Sequence, residues 1–290
     1  MSAAARAVQP IRLKIPKMTD HSPDYSNKRL MLDAARLQVR VIAALVRRET
    51  RVHFGELRLG YLWAIIEPLL HLLVYLFLFT YLFRRQSPLE GGLALFMLTG
   101  LMPYFLYSKL AGYLAGGIDA NRALLNLPPV KPLDVLIARA ILEASTYLFV
   151  GVILLTALFI EDGSDIAPDD PVQLTAALAC TIAFGSGVGC INAVLRAFIR
   201  NWMTIYGLIL SPVFFLSGIW YLPSQIPMPF REYILYNPLA HYIMWVRMAF
   251  YGNYHPIELD RSYAVYCSIV AAGLGLALLR VARRKILEPQ

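Results

Sequence analysis

The chain has 290 residues, 58% of them apolar and 16% charged, with a mean hydropathy of +0.55. Soluble domains run at about 45–50% apolar, so an ordinary soluble enzyme is excluded and a polytopic membrane protein is expected. The formal charge of +8 would suit nucleic acid in a soluble chain, but no soluble segment interleaves basic and aromatic residues, so the basic stretches read as cytoplasmic flanks of membrane spans.

Residues 1–27 are polar and proline-containing and predict a loosely ordered cytoplasmic tail. Across residues 28–57, Arg29, Asp33, Arg36, Arg40, Arg47 and Arg51 recur at helical steps along one stripe. Leu37, Val41, Ile42, Leu45 and Val46 cover another side. A basic amphipathic helix beside a span predicts an interfacial helix lying on anionic lipid, with packing on a soluble partner as the other reading. Membrane spans are predicted at residues 61–83, 93–114, 133–160, 172–195, 202–221 and 262–281, since a bilayer crossing takes about 20 apolar residues. Residues 58–285 therefore read as one six-span domain. Between the last two spans, prolines cut LPSQIPMPFREYILYNPLAHYIMWVRMAFYGNYHPIELD into pieces too short to cross. That pattern predicts a re-entrant helical hairpin in the outer leaflet, where irregular backbone needs protein cover or a water cavity. The expected fold class is all-α: six transmembrane helices, an N-terminal amphipathic interfacial helix and this hairpin.

An even number of spans places both termini on one side. The N-terminal arm, the Arg122/Lys131 loop, the Arg196/Arg200 turn and the ARRKILEPQ tail are basic, and the EDGSDIAPDD loop opposite is acidic. Basic loops stay inside, so both ends are expected in the cytoplasm. Arg84 and Arg85 go against this pattern, because they fall outside. Cys180, Cys190 and Cys267 lie in predicted spans and read as small buried hydrophobes, with no metal-ligand or disulfide spacing. No cleavable signal peptide is visible.

The first span carries Glu67, Pro68 and His71 within otherwise apolar sequence. This topology puts Glu67 roughly 10 Å into the inner leaflet at 1.5 Å per residue. Lys109 of the second span, and Arg139 and Glu143 one helical turn apart in the third, fall at similar depth. Charges there are costly unless paired. Either they form a salt-bridge network between helices, or they line the cytoplasmic mouth of a passage, flanked by Arg58 and His71. Tyr61, Trp63, Trp220 and Tyr221 fit interfacial belts. Tyr75 and Tyr147 lie too deep for a belt. With Tyr104 and Tyr107 they offer flat faces with a polar handle, a chemistry suited to a sliding sugar chain. Arg231, His241 and Arg247 are expected near the outer mouth. GSGVG at 185–189 reads as a site of close helix packing. There is no GxxxxGK[ST], no HExxH and no nucleophile–base pattern, so neither a nucleotide site nor a catalytic or metal site is expected on this chain.

The basic arm, FGELRLGYLWAIIEPLLH, GLMPYF, NRALLNLPPVKPLDVLIARAILE and NPLAHYIMWVR occur in this order and spacing. Together they resemble the membrane subunit of a capsular polysaccharide ABC exporter over about residues 30–285. The resemblance implies an inner-membrane homodimer paired with a separate subunit that holds ATP and magnesium. It makes Ile118, Asp119, Ala120, Asn121 and Arg122 a coupling helix docked in that ATPase. It further implies a lipid-linked polysaccharide substrate and continuation of the route by periplasmic and outer-membrane export proteins. A sister permease for O-antigen or another lipid-linked glycan, a small-molecule efflux permease and a membrane enzyme acting on lipid-linked sugars are the competing readings.

Overall fold

A computed structural model describes residues 23–54, 60–84, 86–125, 130–162 and 167–287. Contacts divide the chain into two units, 1–39 and 40–290. The described part of the first unit belongs to α1 (Pro23–Phe54), where Asp33 and Arg36 form an exposed ion pair at 3.6 Å. Most of the predicted tail lies outside the described residues, although helix already covers 23–27.

The second unit is built from helices alone, with no strand among its described residues. After the end of α1 come α2 (Gly60–Phe77), a π turn (Leu78–Leu82) and α3 (Gly92–Ala115). Two short helices follow, α4 (Gly117–Ala120) and α5 (Arg122–Leu125), and then α6 (Pro132–Asp162), α7 (Pro171–Phe198) and α8 (Trp202–Phe215). A 3-10 turn (Pro223–Gln225), α9 (Phe230–Leu235), α10 (Pro238–Phe250) and α11 (Arg261–Leu287) complete the order. Among the described residues, five segments are long and apolar enough to cross a membrane: Ile65–Leu82, Gly92–Ala115, Pro132–Ile160, Pro171–Phe198 and Arg261–Arg283.

α3 is the centre of the bundle. Of its span, 72% is buried, against 11% for Ile65–Leu82, which packs on α3 along one side and leaves Leu70, Leu73, Val74 and Phe77 exposed. α7 is the second hub and packs on α3, α10 and α11. Glycine explains the closeness of those contacts. A Cβ on Gly187 would stand 2.5 Å from the Ala271 and Ala272 backbone, and one on Gly275 would stand 2.7 Å from the Gly187 carbonyl. The GSGVG run therefore serves helix packing, as its residue types predict.

Helix starts follow capping chemistry. Asp170 accepts from the Val172 and Gln173 amides at 3.0 Å, with Pro171 opening α7. Asn237 caps α10 through the Leu239 amide at 3.1 Å, with Pro238 next. The proline-cut segment thus forms two short helices joined at Asn237 and Pro238, as the pattern predicts.

The fifth predicted span is helical over only part of its length. α8 has 14 residues, about 21 Å at 1.5 Å per residue, and the chain leaves helix at Leu216. Gly218 takes φ +73°. The carbonyls freed by that turn are collected by a side chain far along the sequence: Arg247 donates to the oxygens of Gly218 (2.6 Å), Ile219 (2.7 Å) and Tyr221 (3.3 Å). A buried donor thus replaces the missing helical hydrogen bonds. The first span also differs from its expectation, since it ends in a π turn closed by Phe83 N–H to Leu78 O at 2.9 Å. Arg84 follows with φ +49°, and Arg85 lies outside the described residues.

Candidate functional site

The charged layer is real as a neighbourhood but is paired differently from the sequence expectation. Lys109 Nζ on α3 meets Glu67 Oε1 on α2 at 2.5 Å, with both side chains about a third exposed (31% and 29%). His71, one turn on, donates Nδ1–H to the Glu67 carbonyl at 2.8 Å and sets its ring against Phe105. Glu143 on α6 is buried and lies within electrostatic reach of Lys109, Glu67 and Arg139.

Arg139, however, takes its carboxylate from a helix that the sequence places on the membrane surface. Its Nε donates to Glu49 Oε2 on α1 at 3.1 Å, and the side chains are only 7% and 2% exposed. Tyr113 ties the pair together. Its hydroxyl donates to Glu49 Oε2 at 3.1 Å, its carbonyl accepts from Arg139 Nη1 at 2.9 Å, and its ring lies 4.5 Å under the guanidinium. The edge of His53 packs on the same ring. Two ion pairs, Glu67–Lys109 and Glu49–Arg139, thus stand where one mixed cluster was expected. Arg58 lies outside the described residues.

The segment 118–122 is two helical turns rather than one. α4 and α5 meet at Asn121, whose backbone leaves the helical region at φ −119°. Ile118 and Asn121 are buried, while Asp119 and Ala120 face outward. Asn121 Oδ1 accepts from Arg48 of α1, and its Nδ2 donates to Gly117 O at 3.0 Å. Asp119 bridges Arg122 at 3.5 Å and Arg196, at the end of α7, at 3.0 Å. One short element is therefore clasped by both α1 and α7, and it presents a mixed-charge outer face.

The family of this fold can be read from comparison with known proteins. The ABC-2 type transporter family matches residues 40–251. The chain belongs to that family. It is 34% identical to the polysialic acid transport protein KpsM of Escherichia coli over 246 residues, 85% of this chain and 95% of KpsM. It is 30% identical to the capsule polysaccharide export inner-membrane protein CtrC of Neisseria meningitidis serogroup A over 269 residues, 91% of this chain and 98% of CtrC. The O-antigen export system permease RfbA of Klebsiella pneumoniae is 25% identical over 252 residues, 86% of this chain and 94% of RfbA.

In this ABC-2 chain the four tyrosines expected to meet a glycan divide into two groups. Tyr104, Tyr107 and Tyr147 are buried inside the single chain. Tyr107 pairs its hydroxyl with Tyr206 at 3.1 Å and stacks on Phe184, and Tyr147 lines an apolar cleft with Met102 and Leu148. Their rings pack helices together within the chain. Tyr75 remains half-open and joins Trp220 at 4.1 Å.

The three residues expected near an outer mouth, Arg231, His241 and Arg247, are all engaged within the chain. Arg247 is fully buried over the Phe96 ring (3.9 Å) and holds only carbonyls, including Phe96 O at 3.3 Å. Gly100 allows this approach, because a Cβ there would stand 2.8 Å from the guanidinium. His241 is buried between Leu235 O (2.9 Å) and the Asp260 amide (3.1 Å). Arg231 holds the Ile226 and Ser224 carbonyls and Glu258. All three fasten the proline-rich segment: both guanidiniums are engaged, and the His241 ring donates from one nitrogen and accepts at the other, so it presents no cation.

Glu49, Tyr113, Arg196 and Arg48 are absent from the sequence-based site. Glu49 did carry a signal: it follows Leu45 by one helical turn, so the one carboxylate of the RRETR run lies on the apolar stripe.

Proposed function

We propose that this chain is the permease subunit of an ATP-driven exporter that carries a lipid-linked capsular polysaccharide from the cytoplasm across the inner membrane. The observation that carries this reading is the identity of 34% to KpsM and 30% to CtrC, over nearly the whole length of each, the first named for polysialic acid transport and the second for capsule polysaccharide export. The match to RfbA favours a second reading, export of O-antigen or another lipid-linked glycan.

On this reading α8 and the turn after it supply the fifth of six crossings, and both termini are cytoplasmic. Residues 28–57 lie along the anionic inner surface behind a cytoplasmic tail, residues 58–285 form the permease domain, and α9–α10 re-enter the outer leaflet. Two copies enclose the polymer's path, and the ATPase is a separate subunit that binds ATP and magnesium. Periplasmic and outer-membrane export proteins receive the chain. Asp119, Ala120 and Arg122 form the face that meets the ATPase, with Ile118 and Asn121 as its anchors. The geometry supports a specific transmission route. A push on α4 reaches α7 through Asp119–Arg196 and α1 through Asn121–Arg48. Glu49 then carries displacement of α1 to Arg139 on α6. The Glu67–Lys109 pair lies in the inner half of α2 and α3, with His71 and Glu143 completing a polar gate; Arg58, expected beside it, lies outside the described residues. The Glu67–Lys109 pair is partly exposed, so it can open at lower cost than the buried Glu49–Arg139 pair.

The test is deletion of the gene followed by localisation of labelled polysaccharide. Export predicts polymer retained inside the cell. Loss of synthesis points to an enzyme, and unchanged surface polymer overturns the proposal. Antibody against the capsule or the O-antigen separates the two glycan readings.

A further inference from the structure

The short helices α4 and α5 carry one acidic residue between residues 117 and 125, Asp119. Its two carboxylate oxygens are divided between arginines from different elements. Oδ1 meets Arg122 Nη2 of α5 at 3.5 Å, and Oδ2 meets Arg196 Nε near the end of α7 at 3.0 Å. The three side chains are exposed alike, 37% for Asp119, 39% for Arg122 and 40% for Arg196. A guanidinium has five N–H donors, and one carboxylate oxygen takes up only part of that set. Among the described residues, the sealed polar atoms without a partner lie elsewhere, at Trp220, Arg247 and Tyr251. The donors that Asp119 leaves over therefore open to the outside.

The surroundings favour access. Ala120 is exposed beside Asp119 and has nothing beyond its Cβ to obstruct an approach. Behind the fork, a Cβ on Gly116 would stand 3.5 Å from Arg196 Nη1 and 3.6 Å from Arg139 Nη1, so the fork borders the buried Glu49–Arg139 pair. Two guanidiniums held by one carboxylate suit a planar oxyanion, because parallel N–H donors match the two oxygens of a carboxylate. A lipid headgroup would be drawn by positive charge alone, and Asp119 halves that charge at this spot. A side-chain carboxylate gains from direction, which Asp119 imposes on both arginines. The outer face of α4 thus fits an acidic feature on a protein partner.

We propose that Arg122 and Arg196, oriented by Asp119, form a receptor for a carboxylate side chain of the ATPase subunit, so that α7 docks together with α4 and α5. This rests on the export reading and deepens it, since it adds Arg196 to the contact and names the partner's chemistry. Docking at the fork then acts beside Gly116, next to the pair that joins α1 to α6.

The test uses the full-length protein in nanodiscs of neutral phosphatidylcholine, titrated at rising salt with the ATPase that co-purifies with it. Wild-type association should weaken as salt rises. Arg196→Gln and Arg122→Gln should each weaken it about tenfold and flatten the salt dependence, with thermal unfolding little changed. Arg196→Lys, which keeps the charge and loses the fork, should restore the salt dependence and only part of the affinity. A water-soluble carbodiimide should join Arg196→Lys to an aspartate or glutamate of the ATPase, located by mass spectrometry. Wild-type affinity in both glutamine variants overturns the proposal, and so does an Arg196→Lys complex without that cross-link. Glutamine variants that differ from wild type only when phosphatidylglycerol is added assign the arginines to lipid headgroups and overturn it as well. If no ATPase co-purifies with the wild type, the ATP-driven reading itself fails. Equal binding by wild type and variants removes the fork alone.

Discussion

Glu49→Ala should destabilise the protein by roughly 3 kcal/mol, because it strands the guanidinium of Arg139 in a buried setting. The carboxylate it removes receives both Arg139 Nε and the Tyr113 hydroxyl at 3.1 Å. With side chains 2% and 7% exposed, water screens this pair little. Deleting one partner of a buried pair costs about 3–5 kcal/mol. Arg139 keeps the Tyr113 carbonyl at 2.9 Å and its seat over the ring, which sets the expectation at the lower end. For a domain of this size each kcal/mol moves the melting temperature by about 2–4 °C, so thermal unfolding in nanodiscs should fall by about 6–12 °C. The double variant Glu49→Ala/Arg139→Met should recover much of the loss, since the buried guanidinium is gone and Arg48, the other partner of Glu49 at 3.4 Å, is 41% exposed. Additive losses across that cycle would refute the reasoning, as would a Glu49→Ala melting curve that overlays the wild type.

Arg247→Met removes the donor from four backbone oxygens, and each buried carbonyl left unpaired costs about 1–3 kcal/mol. Little folded protein should survive size-exclusion chromatography, and Arg247→Lys should rescue it only in part. Gly187→Leu inserts side-chain atoms where even a Cβ would stand 2.5 Å from the α11 backbone, so a loss of at least about 1–3 kcal/mol is expected by denaturant titration. Asp119→Arg breaks pairs whose partners are 39% and 40% exposed, so stability should change by no more than about 1 kcal/mol. Export and co-purification of the ATPase should nevertheless be lost, and normal export in this variant would remove the docking assignment.

The long helices were legible because hydropathy and length are local properties. The spans predicted at 93–114, 133–160 and 172–195 lie inside α3, α6 and α7 with only a few residues added at each end. Glycine spacing in GSGVG likewise announced close packing, since only a missing Cβ permits backbones at such distances. Charge pairing was less legible. Depth along a helix places Glu67 and Lys109 at one level, and they do meet. Depth leaves azimuth open, however, and azimuth gives Arg139 to Glu49 rather than to the carboxylates of the neighbouring spans. The arginine stripe of the helix carrying Glu49 points to the lipid surface. Its opposite side, with Leu45 buried one turn before Glu49, shows that the same helix also docks on protein.

The least legible feature is the one that shapes the end of α8. Residues 202–221 are apolar enough to continue as a helix, and nothing local to them except Gly218 argues otherwise. What permits the break is Arg247, some thirty residues on, which looks in sequence like an exposed cation of an outer mouth. A charge that supplies donors to a turn replaces the hydrogen bonds a helix would have made for itself. The turn it holds carries Trp220 against Phe79 and Tyr75 of the first span. Arg247, Gly100 and Gly218 therefore act together. The arginine satisfies the turn, Gly100 gives it room against α3, and Gly218 supplies the left-handed step, so that enlarging Gly100 should displace Trp220 as surely as removing the guanidinium does.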